Sequence, residues 1–115
     1  MALDNLQTVD IIEALENFIE RKRPPEHIRT KLDIGYKIEG QDVFIFEIRP
    51  QWNNSEIIRE HPIAKATFVK TKKHWKIFWM RADLKWHSYE PMPTVKTIRE
   101  FGEIVEEDTH HCFFG

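Results

Sequence analysis

The chain has 115 residues, 41% of them hydrophobic and 31% charged, with a formal net charge of −2. That size and mix suit one globular domain, residues 1–115, with one core, and exclude a disordered chain. A lone thiol, Cys112, rules out an internal disulfide and points to a reducing, cytoplasmic setting.

The spacing of Thr8, Ile11, Ile12, Leu15, Phe18, Ile19 and Lys22 predicts an amphipathic helix flanked by Asp10, Glu13, Glu16 and Glu20. Asp4 is the expected N-cap, with Gln7 completing a capping box. Arg21, Lys22 and Arg23 suit the C-terminal end of the dipole, and Pro24 and Pro25 stop the helix. Pro25 is also placed to start a short turn through Glu26, His27 and Ile28. Residues 1–7 carry Asp4 and lack the basic and apolar stretches of a leader.

From Leu32 the period changes to two. Leu32, Ile34, Tyr36 and Ile38 alternate with Asp33, Gly35, Lys37 and Glu39, as in a half-buried strand. After a turn at 39–42, residues 43–49 make a second strand whose apolar face is Phe44, Phe46 and Ile48, ended by Pro50. Residues 51–60 read as a loop around Asn53, Asn54 and Ser55, with a short extended piece at Ile57 and Ile58. Residues 63–71 and 74–81 form a hairpin joined at Lys72 and Lys73.

The second of these strands is apolar on both faces, so it is expected to be covered on both sides, or on one side by a partner. Ala64 and Ala66, on one face, leave room for a ring or a helix. Asp83 and Leu84 turn the chain into residues 86–90, and Pro91 and Pro93 close the sheet. Thr94 is the expected cap of a last helix that buries Val95, Ile98, Phe101 and Val105. Its acidic end, Glu103, Glu106, Glu107 and Asp108, opposes the dipole. The apolar tail over 110–115 is expected to pack back. No apolar run exceeds four residues, as at 43–46 and 77–80, far short of the roughly 20 needed to span a bilayer, and no membrane partner is expected. The fold class is α+β: an N-terminal helix, an about five-stranded, mostly antiparallel meander sheet, and a C-terminal helix.

Several strings occur in a fixed order. They are Arg23-Pro24-Pro25, Phe46-Glu47-Ile48-Arg49-Pro50-Gln51-Trp52, Pro62-Ile63-Ala64-Lys65, Lys85-Trp86-His87-Ser88-Tyr89-Glu90-Pro91 and Phe113-Phe114-Gly115. Together they resemble a family of short bacterial proteins known only as a domain of unknown function. The resemblance implies a bacterial, cytosolic, one-domain protein and brings no activity, ligand or catalytic residue with it.

Charge is unevenly distributed. Residues 62–90 hold seven basic side chains against two acidic ones, and residues 91–115 hold two against five. The basic span interleaves lysines with rings, and its candidate contact residues are Lys65, Lys70, Lys72, Lys73, Trp75, Lys76, Trp79, Arg81, Lys85, Trp86 and His87, with Tyr89 beside them. Cations neutralise phosphates and exposed rings stack bases, so single-stranded nucleic acid or a protein partner is one expectation. The plainer reading buries the rings and leaves the lysines as solvated edge protection. A homodimer through the same aromatic surface is a second expectation.

An enzymatic alternative rests on the first hairpin. Pairing Ile38 with Phe44 puts Gly35 opposite Glu47 and Asp33 opposite Arg49. Asp33, Glu47 and Arg49 then share a face, like the carboxylates and base of a metal-dependent nuclease; the plain alternative is a cross-strand ion pair. Glu106, Glu107, Asp108, His110, His111 and Cys112 are suitable zinc ligands without the spacing of a known site. His87, near Asp83 and Glu90, is a candidate general base, although strand alternation puts it on one side with Tyr89 and away from Trp86. No nucleophile motif or Gly-rich loop accompanies these groups, so no catalytic residue, metal or cofactor is assigned.

Overall fold

The computed structural model describes residues 3–114. Met1, Ala2 and Gly115 lie outside the described residues, and with them the ends of the expectations over 1–7 and 110–115. Helix α1 spans Asn5–Lys22 and starts as its sequence predicts: the Gln7 amide donates to Asp4 Oδ1 at 2.8 Å, and the Asp4 amide donates to Gln7 Oε1 at 3.2 Å. Ile11, Leu15 and Phe18 form its buried stripe. Ahead of Pro24 the backbone turns extended at Arg23, whose guanidinium grips both Asp33 oxygens at 2.9 and 2.7 Å. That fork ties the helix end to the start of the sheet. A 3-10 turn, Glu26–Ile28, follows Pro25.

The sheet is built from β1 (Asp33–Glu39), β2 (Asp42–Gln51), β3 (Asn54–Val69), β4 (His74–Met80), β5 (Trp86–Ser88) and β6 (Thr94–Val95). The order is β1-β2-β3-β4-β5, every neighbouring pair antiparallel. The outer edge of β4 is shared: β5 pairs with its C-terminal half and β6 with its N-terminal half. Helix α2, Ile98–Glu107, then packs beside α1 over one sheet face. Within the described residues no helix is long and apolar enough to cross a membrane.

Three expectations are corrected. The stretch 51–60 is not a loop: β2 runs on through Pro50 to Gln51, and β3 begins at Asn54. Pro50 is accommodated because β2 has by then outrun β1, whose last pair is Asp33 with Ile48, leaving it one neighbour. The first hairpin is shifted by one residue: Ile38 faces Val43, Tyr36 faces Ile45 and Gly35 faces Phe46. Only Gly40 and Gln41 make the turn, with Gly40 at φ 58°, so Asp42 is a strand residue paired with Glu39. Finally, Thr94 is in β6. The cap of α2 is Thr97, which forms its own capping box with Glu100.

The core lies between the helices and one face of the sheet. Ile34, Val43, Ile45, Ala64, Ala66 and Ile77 meet Ile11, Leu15, Phe18, Ile98, Phe101 and Val105 there. Ala64 and Ala66 are fully buried, their small side chains leaving the room the helices occupy. The tail does pack back. Asp108 adopts the left-handed conformation that ends α2, and its carboxylate accepts from the Phe113 and Phe114 amides at 3.0 and 2.8 Å. Phe113 then lies 5.0 Å from the Tyr89 ring.

Tyr36 links this layer to α1 by donating to Glu16 Oε1 at 2.9 Å. Burial, with the Glu16 carboxylate as the added cause, pushes its phenol up to about 12. An unfolded tyrosine ionises near about 10, so the stabilisation is complete below that pH and lost as pH rises toward about 12. A titration of tyrosinate absorbance is expected to show both phenols raised, Tyr36 and Tyr89 each by burial, with Tyr36→Phe removing the one pushed up to about 12. That substitution should also flatten the alkaline loss of stability between those two values.

A candidate contact surface on the helix-free sheet face

The register decides which side chains the helices leave uncovered. Residues paired across a sheet share a face, and Lys37, Phe44, Lys65, Phe78 and Ser88 form one continuous row across β1 to β5. All of them lie opposite the helix layer, because their neighbours Tyr36, Ile45, Ala64 and Trp79 pack on the core. Lysine and phenylalanine alternate along the row. Trp86, paired with Met80, closes it at the far edge.

The rings and cations are in mutual contact. Lys65 Nζ lies 4.6 Å from the Phe78 centroid and 5.2 Å from that of Trp86. Lys37 Nζ lies 5.6 Å over Phe44, whose ring is 6.0 Å from that of Trp86. Lys65 is thereby held over the sheet by ring quadrupoles. Lys37 has both a ring and a carboxylate, Glu39 at 3.4 Å. Phe44, Phe78, Met80 and Trp86 are half-buried. Phe46 is covered to 7% exposure even though no helix lies over it. Its ring lies across Gly35, where an added Cβ would come within 2.8 Å of Phe46 Cε2. Glycine is required there for that close approach.

Sequence reasoning pointed to this region but mixed two faces. Lys65, Lys76 and Trp86 belong to the helix-free face. Trp75, at 4% exposure, is core and rests on Phe68, 5.1 Å away. Trp79 and His87 pair with each other on the helix side, where Arg81 stacks 5.4 Å over Trp79. His87 Nε2 lies 2.9 Å from Asp83 Oδ2, a contact that holds the Asp83 carboxyl below its usual range. Lys70, Lys72 and Lys73 are exposed at the β3–β4 connection, with Lys73 left-handed at φ 51°; Lys85 is exposed at the β4–β5 connection. The residues missed were Lys37, Phe44, Phe78 and Met80. The one signal for them was that β4 is apolar on both faces.

The carboxylate constellation does not form. With the shifted register Asp33 faces Ile48, and Glu47 and Arg49 point to the opposite side. Asp33 is engaged by Arg23, whose hydrogen bond holds its carboxyl below the usual range. Glu47 pairs with Arg49 at 3.2 Å. At the other end of the chain, Glu106 binds Arg21 at 2.7 Å and Asp108 is taken up by backbone amides. Burial, then the nearby Asp108 charge, pushes the Cys112 thiol up, so it holds its proton more tightly than a free thiol. Among the described residues no three His, Cys, Asp or Glu side chains converge as metal ligands.

The chain belongs to the DUF3024 family, described as a domain of unknown function, whose profile matches residues 3–115. No curated protein and no solved structure matches the chain.

Proposed function

We propose that this is a one-domain, cytoplasmic, non-enzymatic binding or accessory protein whose helix-free sheet face takes single-stranded nucleic acid. The observation that carries the reading is the row Lys37–Phe44–Lys65–Phe78, flanked by Trp86. Strands about 4.8 Å apart separate Phe44 from Phe78 by roughly 10 Å, leaving each ring room for its own base. Stacking contributes about 1–3 kcal/mol per base and tolerates any sequence. Lysines now resting on the rings would swing to phosphates and release counterions.

The test is titration of a labelled oligothymidylate against salt. Two lysine–phosphate contacts should give a log–log slope near about −1.4. Phe78→Ala combined with Trp86→Ala should weaken binding by about thirtyfold or more, the equivalent of about 1–3 kcal/mol for each of the two rings lost. Lys65→Glu should weaken it further at low salt. Binding that ignores both substitutions removes the proposal.

A second reading is favoured by the apolar line Phe44, Phe46 and Ile48 along β2, joined by Met80. It makes the same face a homodimer or protein interface, sheet packed on sheet. Its mark is a dimer in sedimentation whose stability is insensitive to salt and is lost in Phe78→Ala with Trp86→Ala.

A further inference from the structure

Beyond the last β1 pair, Asp33 with Ile48, and the last β4 pair, Ala64 with Trp79, strands β2 and β3 continue alone as a two-stranded arm. A ribbon with no third strand is marginal by itself, and this one carries two features that work against its own stability or leave an apolar ring in water. Arg49 stands directly opposite Arg59, an arrangement of like charges that weakens a strand pair. His61 sits next along the same side, opposite Glu47. Trp52, at the turn, is 94% exposed. With Pro50 and Gln51 these residues line an open cleft of about 490 Å³, within the usual size of small-molecule sites.

Arg59 is oriented rather than neutralised, whereas Arg49 is paired with the Glu47 carboxylate. Arg59 Nε donates to Gln51 Oε1 at 3.0 Å, and Gln51 Nε2 in turn donates to Asn53. Among the described residues Arg59 has no carboxylate partner. Arg49 shares one nitrogen between the two Glu47 oxygens at 3.3 and 3.2 Å. Two planar cations, Arg49 shared with Glu47 and Arg59 without a carboxylate among the described residues, stand with an imidazole beside an uncovered indole. Together they match a ligand with a phosphate at one end and a flat aromatic at the other. The phosphate would accept from both guanidiniums and relieve their repulsion, while the base would stack on the indole.

We infer that this arm cleft is a nucleotide site, taking a nucleoside phosphate either free or as the 5′-phosphorylated end of a strand. It lies on the side of the sheet opposite the Lys37–Phe78 row, so it stands or falls independently of that surface.

The experiment is a tryptophan-fluorescence titration of the full chain with AMP, adenosine, inorganic phosphate and two oligothymidylates, one 5′-phosphorylated and one 5′-hydroxyl. AMP should quench, the quench should vanish in Trp52→Phe, and Arg59→Gln should weaken it about tenfold or more, as expected for a lost charge-assisted bond. Adenosine and phosphate alone should each bind at least about tenfold more weakly, since each lacks one half of the recognition. A phosphorylated oligomer that outcompetes its hydroxyl counterpart identifies the strand end as the source; AMP binding without that difference identifies the free nucleotide. Phe78→Ala with Trp86→Ala should leave the AMP quench unchanged. The inference is overturned if neither phosphorylated probe quenches Trp52, if adenosine or phosphate matches AMP, or if Arg59→Gln binds AMP as well as the parent does. Unchanged far-ultraviolet dichroism of Arg59→Gln secures that last comparison.

Discussion

Phe18→Ala is expected to cost about 3–5 kcal/mol of unfolding free energy, among the largest single effects in this fold. Phe18 is 0% exposed and sits where α1, α2 and the sheet converge. On the α2 side its neighbour is Gly102, where even an added Cβ would lie 3.8 Å from Phe18 Cβ and Cδ1. There is no flexible side chain at that position to swing into a vacated ring site, so the cavity would stay open. For a domain with about 5–15 kcal/mol in total, the loss is a large fraction of stability. Denaturant unfolding measures it, with Phe18→Leu as the comparison, expected to cost less because more of the volume is kept. A loss under about 1 kcal/mol would mean the two helices do not share one core with the sheet.

The second large effect is predicted at Asp108→Ala, about 2–4 kcal/mol. Asp108 is 8% exposed and does two things at once. Its backbone takes the left-handed turn at φ 43°, which costs a non-glycine residue about 1–2 kcal/mol and which aspartate tolerates better than alanine. Its carboxylate satisfies the Phe113 and Phe114 amides; an amide left buried without a partner costs about 1–3 kcal/mol. Asp108→Asn keeps the tolerance for the turn and one acceptor oxygen, and should lose less. Near-ultraviolet dichroism should report release of Phe113 from Tyr89 in the alanine variant. Equal melting temperatures for the alanine, asparagine and parent chains would show that the tail is not anchored through this carboxylate.

The second helix illustrates how local signals can be right in kind and wrong in place. Thr94 and Thr97 are both followed at a short distance by apolar residues, but only Thr97 has a glutamate three residues on, and that reciprocal pair is what closes the box. Val95 is buried as expected, yet through β6 rather than through the helix. Asn53, Asn54 and Ser55 are turn formers, which is why the arm looks like a loop in the sequence. Only Asn53 lies in the turn, beside Trp52; Asn54 and Ser55 already belong to the long strand, which draws its pairing from β2 rather than from its own propensity.

The contact surface depended on one turn. Pairing Ile38 with Phe44 instead of Val43 shifts the register by one, and in a sheet that moves every side chain to the other face. Under the wrong register Phe44, Phe46 and Ile48 are core, and Asp33, Glu47 and Arg49 gather. Under the observed one Val43 and Ile45 are core, the phenylalanines are left on the open face and the charged group disperses.

By itself the sequence determined the periodic elements: helix α1 with its cap and its proline stop, the change to period two at Leu32, and the α+β class. Those features arise from neighbours a few residues apart, and their physics is complete within the segment. Only the tertiary structure decided which face of β2 and β4 the helices cover, that Trp75 is interior while Phe78 and Trp86 are not, and that β2 and β3 outrun their neighbours. Such outcomes depend on pairing between distant segments, where two alternatives differ by one residue of register and local composition favours neither.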